Sequence, residues 1–170
     1  GVLRDHDPWR WENQVVQPHD RIRGVSTILI AEQDPFLRQQ LADLFRHDGH
    51  TVTEASDGLE AMQQLECQLF DVIFTDLHLP ERNGIQMLQA SQASDRFTPV
   101  FILIEPGELS GAVDALKLGA HDYLVKHDPI GREEVQLRVA RALEYRRMLQ
   151  AIIYLKQVQP HLYDCERIIR

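Results

Sequence analysis

The residues best suited to chemistry are an acidic group, a lone aspartate and a lysine, each placed where an apolar run stops. Asp76 ends the run Val72-Ile73-Phe74-Thr75, Glu32, Gln33 and Asp34 follow Thr27-Ile28-Leu29-Ile30-Ala31, and Lys126 follows His121-Asp122-Tyr123-Leu124-Val125. Short β-branched and aromatic runs bounded by turn residues read as strands buried on both faces of a parallel sheet. A carboxylate at such a strand end lies on the carboxyl edge, where open α/β sheets bind their ligands. Two or three carboxylates gathered there repel one another unless a divalent cation or a lysine neutralises them. Oxygen ligands around Mg²⁺, with a lone lysine to hold a phosphate, are one solution. A plain structural ion-pair network is another, and on its own stretch Asp76 equally well caps a loop.

The elements that position these residues alternate regularly. After the first strand, Asp34 caps and Pro35 fills the first position of a helix whose apolar side is Phe36, Leu37, Leu41, Leu44 and Phe45, ended by Gly49. His50 to Ala55 alternates like a strand near a sheet edge, and Asp57-Gly58 opens a helix through Leu59, Met62 and Leu65. Beyond Asp76, Pro80 blocks helix continuation and Asn83-Gly84 supplies a turn before a helix from Ile85 to about Ala93. Pro99 to Ile104 is a wholly apolar strand, and a helix carrying Leu109, Val113, Leu116 and Leu118 runs to Gly119. Strands alternating with helices predict right-handed crossovers and a doubly wound, five-stranded parallel sheet. In a fold of that order the ends of strands one, three, four and five converge, bringing Glu32, Gln33 and Asp34 to Asp76, Ile104 and Lys126.

Composition bounds the function. The formal net charge of −8 makes this piece a poor grip for phosphate backbones, so direct nucleic-acid contact is expected to belong to another domain. No apolar run approaches the ~18 residues a membrane span needs, and no secretory pattern opens the chain. Cys67 and Cys165 fit neither a disulfide framework nor a metal site, which favours a reducing, cytoplasmic setting. Residues 1–26 lack periodicity and read as a flexible leader, part of it an expression remnant, with Trp9 and Trp11 either pinning it to a neighbouring surface or partly exposed. The domain proper is 27–129.

Residues 130–158 predict one long helix, stopped before Pro160, with 159–170 beginning a linker to an output domain outside this chain. Two apolar seams run along the helix: Val135, Val139, Ala142, Leu149 and Ile153, and Tyr145, Met148, Ile152 and Leu155. Its first half can pack on the sheet. From Met148 to Leu155 it is apolar almost all round and must be buried against something: its own domain, by folding back, or a two-chain seam making a homodimer, which is the expectation.

From Thr27 to about Tyr145 the chain resembles the receiver domain of two-component response regulators, a flavodoxin-like fold. The segments that carry the resemblance are ILIAEQDPFLR, DVIFTDLHLPERNG, PVFILI and GAHDYLVK. The resemblance implies that Asp76 is the phosphoacceptor, taking a phosphoryl group from a histidine kinase, and that Lys126 senses the phosphate. It implies that Glu32 and Gln33 match the pair that organises Mg²⁺, that the backbone of His78 matches the third metal contact, and that Tyr123 is the aromatic switch. The runs VQLRVARALEYRRM and YDCERII are similar to the linker before the ATPase domain of sigma-54-dependent, enhancer-binding transcription activators.

Three departures make this an atypical receiver. Gln33 puts a neutral amide where the family has a carboxylate on the metal, so Mg²⁺ is expected to bind weakly. Ile104 stands where the family has the Ser or Thr that hydrogen-bonds the phosphate, and an apolar group donates no such bond. His127 replaces a proline that is cis in the family, so a trans bond and an altered loop are expected after Lys126. Two mechanisms follow: a conventional phosphorylation switch, or a phosphate-independent docking and dimerisation scaffold, which the departures favour. A small enzyme on this fold, such as a flavodoxin-like electron carrier or a phosphohydrolase, is disfavoured, because the loops after the first and third strands lack a glycine-rich phosphate cradle and His78 stands where a hydrolase wants a second carboxylate.

Overall fold

The computed structural model describes residues 26–127 and 129–158. Residues 1–25, with Trp9 and Trp11, and the expected linker 159–170 lie outside them. The chain runs β1 (Thr27–Ala31), α1 (Pro35–His47), β2 (Thr51–Ala55), α2 (Gly58–Cys67), β3 (Val72–Asp76), α3 (Gly84–Ser94), β4 (Val100–Ile104), α4 (Leu109–Lys117), β5 (Asp122–Val125) and α5 (Arg132–Val158). All strands are parallel in the order β2-β1-β3-β4-β5, so β2 is at an edge as its alternation predicts. The order reverses direction between β1 and β3, which makes the crevice beside Asp76 the switch point of the sheet.

The strands β3, apolar up to Thr75 and Asp76, and β4, wholly apolar, are buried at every position, which two covered faces require. Their side chains alternate between two cores. One face sets Ile28, Ile30, Phe74, Phe101 and Leu124 against Leu41 and Phe45 of α1 and Val135, Val139 and Leu143 of α5. The other sets Leu29, Ile73, Ile102 and Ile104 against Met87, Leu88, Ala112 and Ala115 of α3 and α4. The first two helices start at the expected aspartates, and the third starts at Gly84, one residue before the expected Ile85, with Asn83 as its cap. Asp34 accepts from the Phe36 N–H with Pro35 in the first turn, Asp57 accepts from the Glu60 N–H, and Asn83 and Gln86 form a reciprocal capping box.

Helix α5 begins after Gly131, two residues later than the apolar spacing alone suggests, and Ile130 packs against the first core instead. Val135, Val139 and Ala142 are buried there as expected, and Leu149 and Ile153 are half-buried. The turn between Ala142 and Leu149 holds a buried arginine, Arg146. Its guanidinium donates to Thr98 Oγ1 at 3.0 Å and Asp95 Oδ2 at 2.8 Å, and lies 3.6 Å from Asp71 Oδ1. Tyr145, just before this bolt, and Met148, Ile152 and Leu155 beyond it are exposed by 54, 58, 47 and 42%.

Ser26, counted with the leader on sequence grounds, is buried: its carbonyl accepts from the Thr51 N–H, and its own N–H donates to His50 Nδ1 at 3.2 Å. His50 therefore has to be neutral to keep its acceptor. Burial pushes its pKa below the ordinary 6.5, against Asp48 and Asp71, with Arg147 adding to the lowering. A histidine whose folded pKa is depressed contributes stability above its unfolded pKa and loses it as the pH falls through that value towards the folded one. The urea midpoint is expected to drop below about pH 6.5. It should drop less in His50→Asn, which keeps an acceptor that does not titrate. An equal drop in both proteins would assign the loss to other groups.

Candidate functional site

Asp76 is the last residue of the central strand β3, so its side chain emerges at the carboxyl edge between β1 and β4. The loop behind it is held tightly. The Leu77 N–H donates to Leu103 O, and the Gly84 N–H returns to Leu77 O at 3.0 Å. A Cβ on Gly84 would stand 2.7 Å from Asp76 O, so α3 can start this close only with glycine there. Glu32 prolongs β1 by donating its N–H to Ala55 O, and Lys126 prolongs β5 by donating its N–H to Ile104 O. Strand ends one, three and five thereby place Glu32, Asp76 and Lys126 at one point.

Lys126 Nζ lies 3.2 Å from Glu32 Oε1, 3.1 Å from Asp76 Oδ2 and 3.6 Å from Glu105 Oε1. Burial works against its charge, but Glu32 and Asp76 outweigh that and hold its pKa above the ordinary lysine value. Burial, then the Asp76 charge, pushes the Glu32 carboxyl up to about 7, against the pull of Lys126. Both Asp76 oxygens have protein donors: the His78 N–H on Oδ1 at 3.0 Å, and Lys126 with the Gln33 amide at 3.3 Å on Oδ2. Gln33 Nε2 also reaches His78 O at 3.5 Å. Asp34 is turned away as the cap of α1, as Pro35 beside it implies.

Ile104 is fully buried at the end of β4 in register with Val125, and Tyr123 packs half-buried against the same core. The Tyr123 carbonyl accepts from Arg138 Nη1 at 2.8 Å. Two contacts at the pocket's mouth escape sequence reasoning. The His78 imidazole lies 2.7 Å from Glu108 Oε1, and Glu108 Oε2 accepts from the Glu105 N–H at 2.8 Å. The loops after β3 and β4 are thus tied together, by residues whose local sequence reads only as a turn.

Residues 28–140 match the response regulator receiver domain family. The chain belongs to that family. It is a two-component signalling module built on a five-stranded, flavodoxin-like parallel sheet. It is 32% identical over 134 residues to the regulatory protein AtoC of Escherichia coli K12, covering 79% of this chain and 29% of that protein. A response regulator receiver domain from Clostridium thermocellum superposes with a TM-score of 0.68 at 27% identity, over 74% of this chain and 99% of that one. The receiver domain of the sensor histidine kinase PA1611 from Pseudomonas aeruginosa PAO1 does so with a TM-score of 0.63 at 29% identity, over 71% and 98%. That structure has a magnesium ion coordinated in its active site cleft.

The donor set in this chain fits such a cation poorly. Glu32 Oε2 is buried without a partner, while Glu32 Oε1 is already held by Lys126 Nζ at 3.2 Å. Gln33 aims N–H groups, not an oxygen, at the other two contacts. Among the described residues no group of three or more His, Cys, Asp or Glu is placed to hold a metal. No described helix is long and apolar enough to cross a membrane.

Proposed function

We propose that this receiver works mainly as a phosphate-independent scaffold that pairs two copies through α5 and thereby controls an output domain outside this chain. The observation that carries this reading is the end of β4. Ile104 is sealed into the same core as Tyr123 and offers a phosphoryl group on Asp76 no hydroxyl through which to move that residue. The exposed seam Tyr145, Met148, Ile152 and Leu155 supplies the pairing surface, since so apolar a stripe past the domain's edge is stable in water only when covered. A transcriptional, sigma-54-dependent output fits the linker resemblance, a regulatory one fits the likeness to the regulatory protein AtoC, and a cytoplasmic setting without membrane or direct nucleic-acid contact belongs to the same reading.

Conventional phosphorylation is the second reading. Asp76 beside Lys126 keeps a nucleophile and a phosphate counter-charge, so a histidine kinase could serve as donor, with Mg²⁺ held weakly by Glu32, Asp76 and the His78 carbonyl. Neither reading makes the module an enzyme acting on a separate substrate. The oligomeric state separates the two. The wild-type chain is expected to sediment as a dimer with or without acetyl phosphate, and Ile152→Glu with Leu155→Glu is expected to give a folded monomer. A wild-type monomer at high concentration would remove the scaffold, and dimerisation only after acetyl phosphate would favour the switch.

A further inference from the structure

We infer that the Gln33 side-chain amide stands in for the cation, bridging the Asp76 carboxylate and the His78 carbonyl, so that Mg²⁺ enters this pocket only by displacing it. The inference rests on the receiver reading of the site and goes beyond the loss of a ligand. A neutral amide could have been a poor metal ligand through its oxygen. Here its nitrogen faces both acceptors, at 3.3 Å from Asp76 Oδ2 and 3.5 Å from His78 O. The Asp76 carboxylate and the His78 carbonyl are the oxygens that would hold a divalent ion, and the same lone pairs accept from N–H. Lys126 completes the set on Oδ2 and the His78 N–H on Oδ1, so that both Asp76 oxygens are held by protein donors. Gln33 itself is otherwise exposed, so no packing requirement explains where its amide goes.

A competitor and a feeble ligand predict opposite results when the side chain is cut back. The experiment titrates the full chain with Mg²⁺ alone and follows the backbone amide of His78 and the side-chain amide of Gln33 by NMR. If the amide competes, Gln33→Ala binds Mg²⁺ about threefold or more tightly than wild type, because the cation no longer has to displace a donor. Gln33→Asp, which adds a hard anionic ligand, binds about tenfold or more tightly than wild type. In wild type the Gln33 side-chain signals shift as the ion enters. Binding by Gln33→Asp together with unchanged or weaker binding by Gln33→Ala would overturn the stand-in and leave the receiver site intact. No binding by either variant would remove the receiver-type pocket, and the inference with it.

Discussion

Arg146→Met is expected to lower the unfolding free energy by about 3 kcal/mol, the low end of the range for breaking a buried ion pair. Methionine keeps the apolar stem of the arginine, so the loss reports the guanidinium rather than a cavity. The guanidinium is fully inside, whereas its carboxylate partners are partly open to water that can rehydrate them, which holds the cost at the low end. The group ties α5 to three strands at once. Asp95 and Thr98 precede β4, and Asp71 precedes β3 while accepting from the Thr27 N–H and hydroxyl at the start of β1. Burial raises the pKa of Asp95, but the Phe97 N–H and Arg146 outweigh it and hold the carboxyl below its ordinary range. Asp95 is therefore the partner with most to lose. Urea unfolding of Arg146→Met, Asp95→Asn and the double variant should show non-additivity of about 1 kcal/mol or more between the two sites. Amide exchange should quicken along residues 147–158, which hang from that bolt. A midpoint equal to wild type would mean the guanidinium is idle there.

Arg146 also marks where the sequence stops being legible. Val135, Val139 and Ala142 step by four and three, and the next members of the same seam are Leu149 and Ile153. A step of four from Ala142 falls on residue 146 and a further step of three on Leu149, so the seam has a member that the apolar pattern skips. An arginine there reads as a surface residue until the carboxylates of Asp71 and Asp95, far away in sequence, are seen around it. The site shows the same division. Asp76, Glu32 and Lys126 are legible because each ends an apolar run, and a parallel sheet gathers strand ends at one edge. What Gln33 does is not, because its two acceptors come from the neighbouring strand's loop and one of them is a backbone carbonyl. The tie between His78 and Glu108 likewise joins two loops that neither local pattern nor spacing connects.

The loop tie and Ile104 together set the expected response to phosphate. In the receivers that this chain resembles, a hydroxyl at the end of the fourth strand hydrogen-bonds the phosphate and couples it to the aromatic switch. Here the loop after that strand already reaches the Asp76 loop through Glu108 and His78, and the strand ends in a side chain that donates nothing. Wild-type protein given acetyl phosphate and Mg²⁺ is therefore expected to show nearly unchanged amide exchange around Tyr123, whatever fraction intact-mass measurement finds phosphorylated. Combining Gln33→Asp with Ile104→Thr should supply both the anionic ligand and the hydroxyl. The double variant should then couple phosphate to Tyr123 by about 1–3 kcal/mol, the usual size of coupling between two sites. Ile104→Thr alone serves as the control, because a threonine in this fully buried position costs stability through lost packing and an extra polar group. Its exchange must be compared at matched stability. If the single Ile104→Thr variant responds as strongly as the double one, the cation site was never the obstacle. If the wild type itself is phosphorylated stoichiometrically with a clear protection change at Tyr123, Ile104 does not uncouple the site and the conventional switch stands.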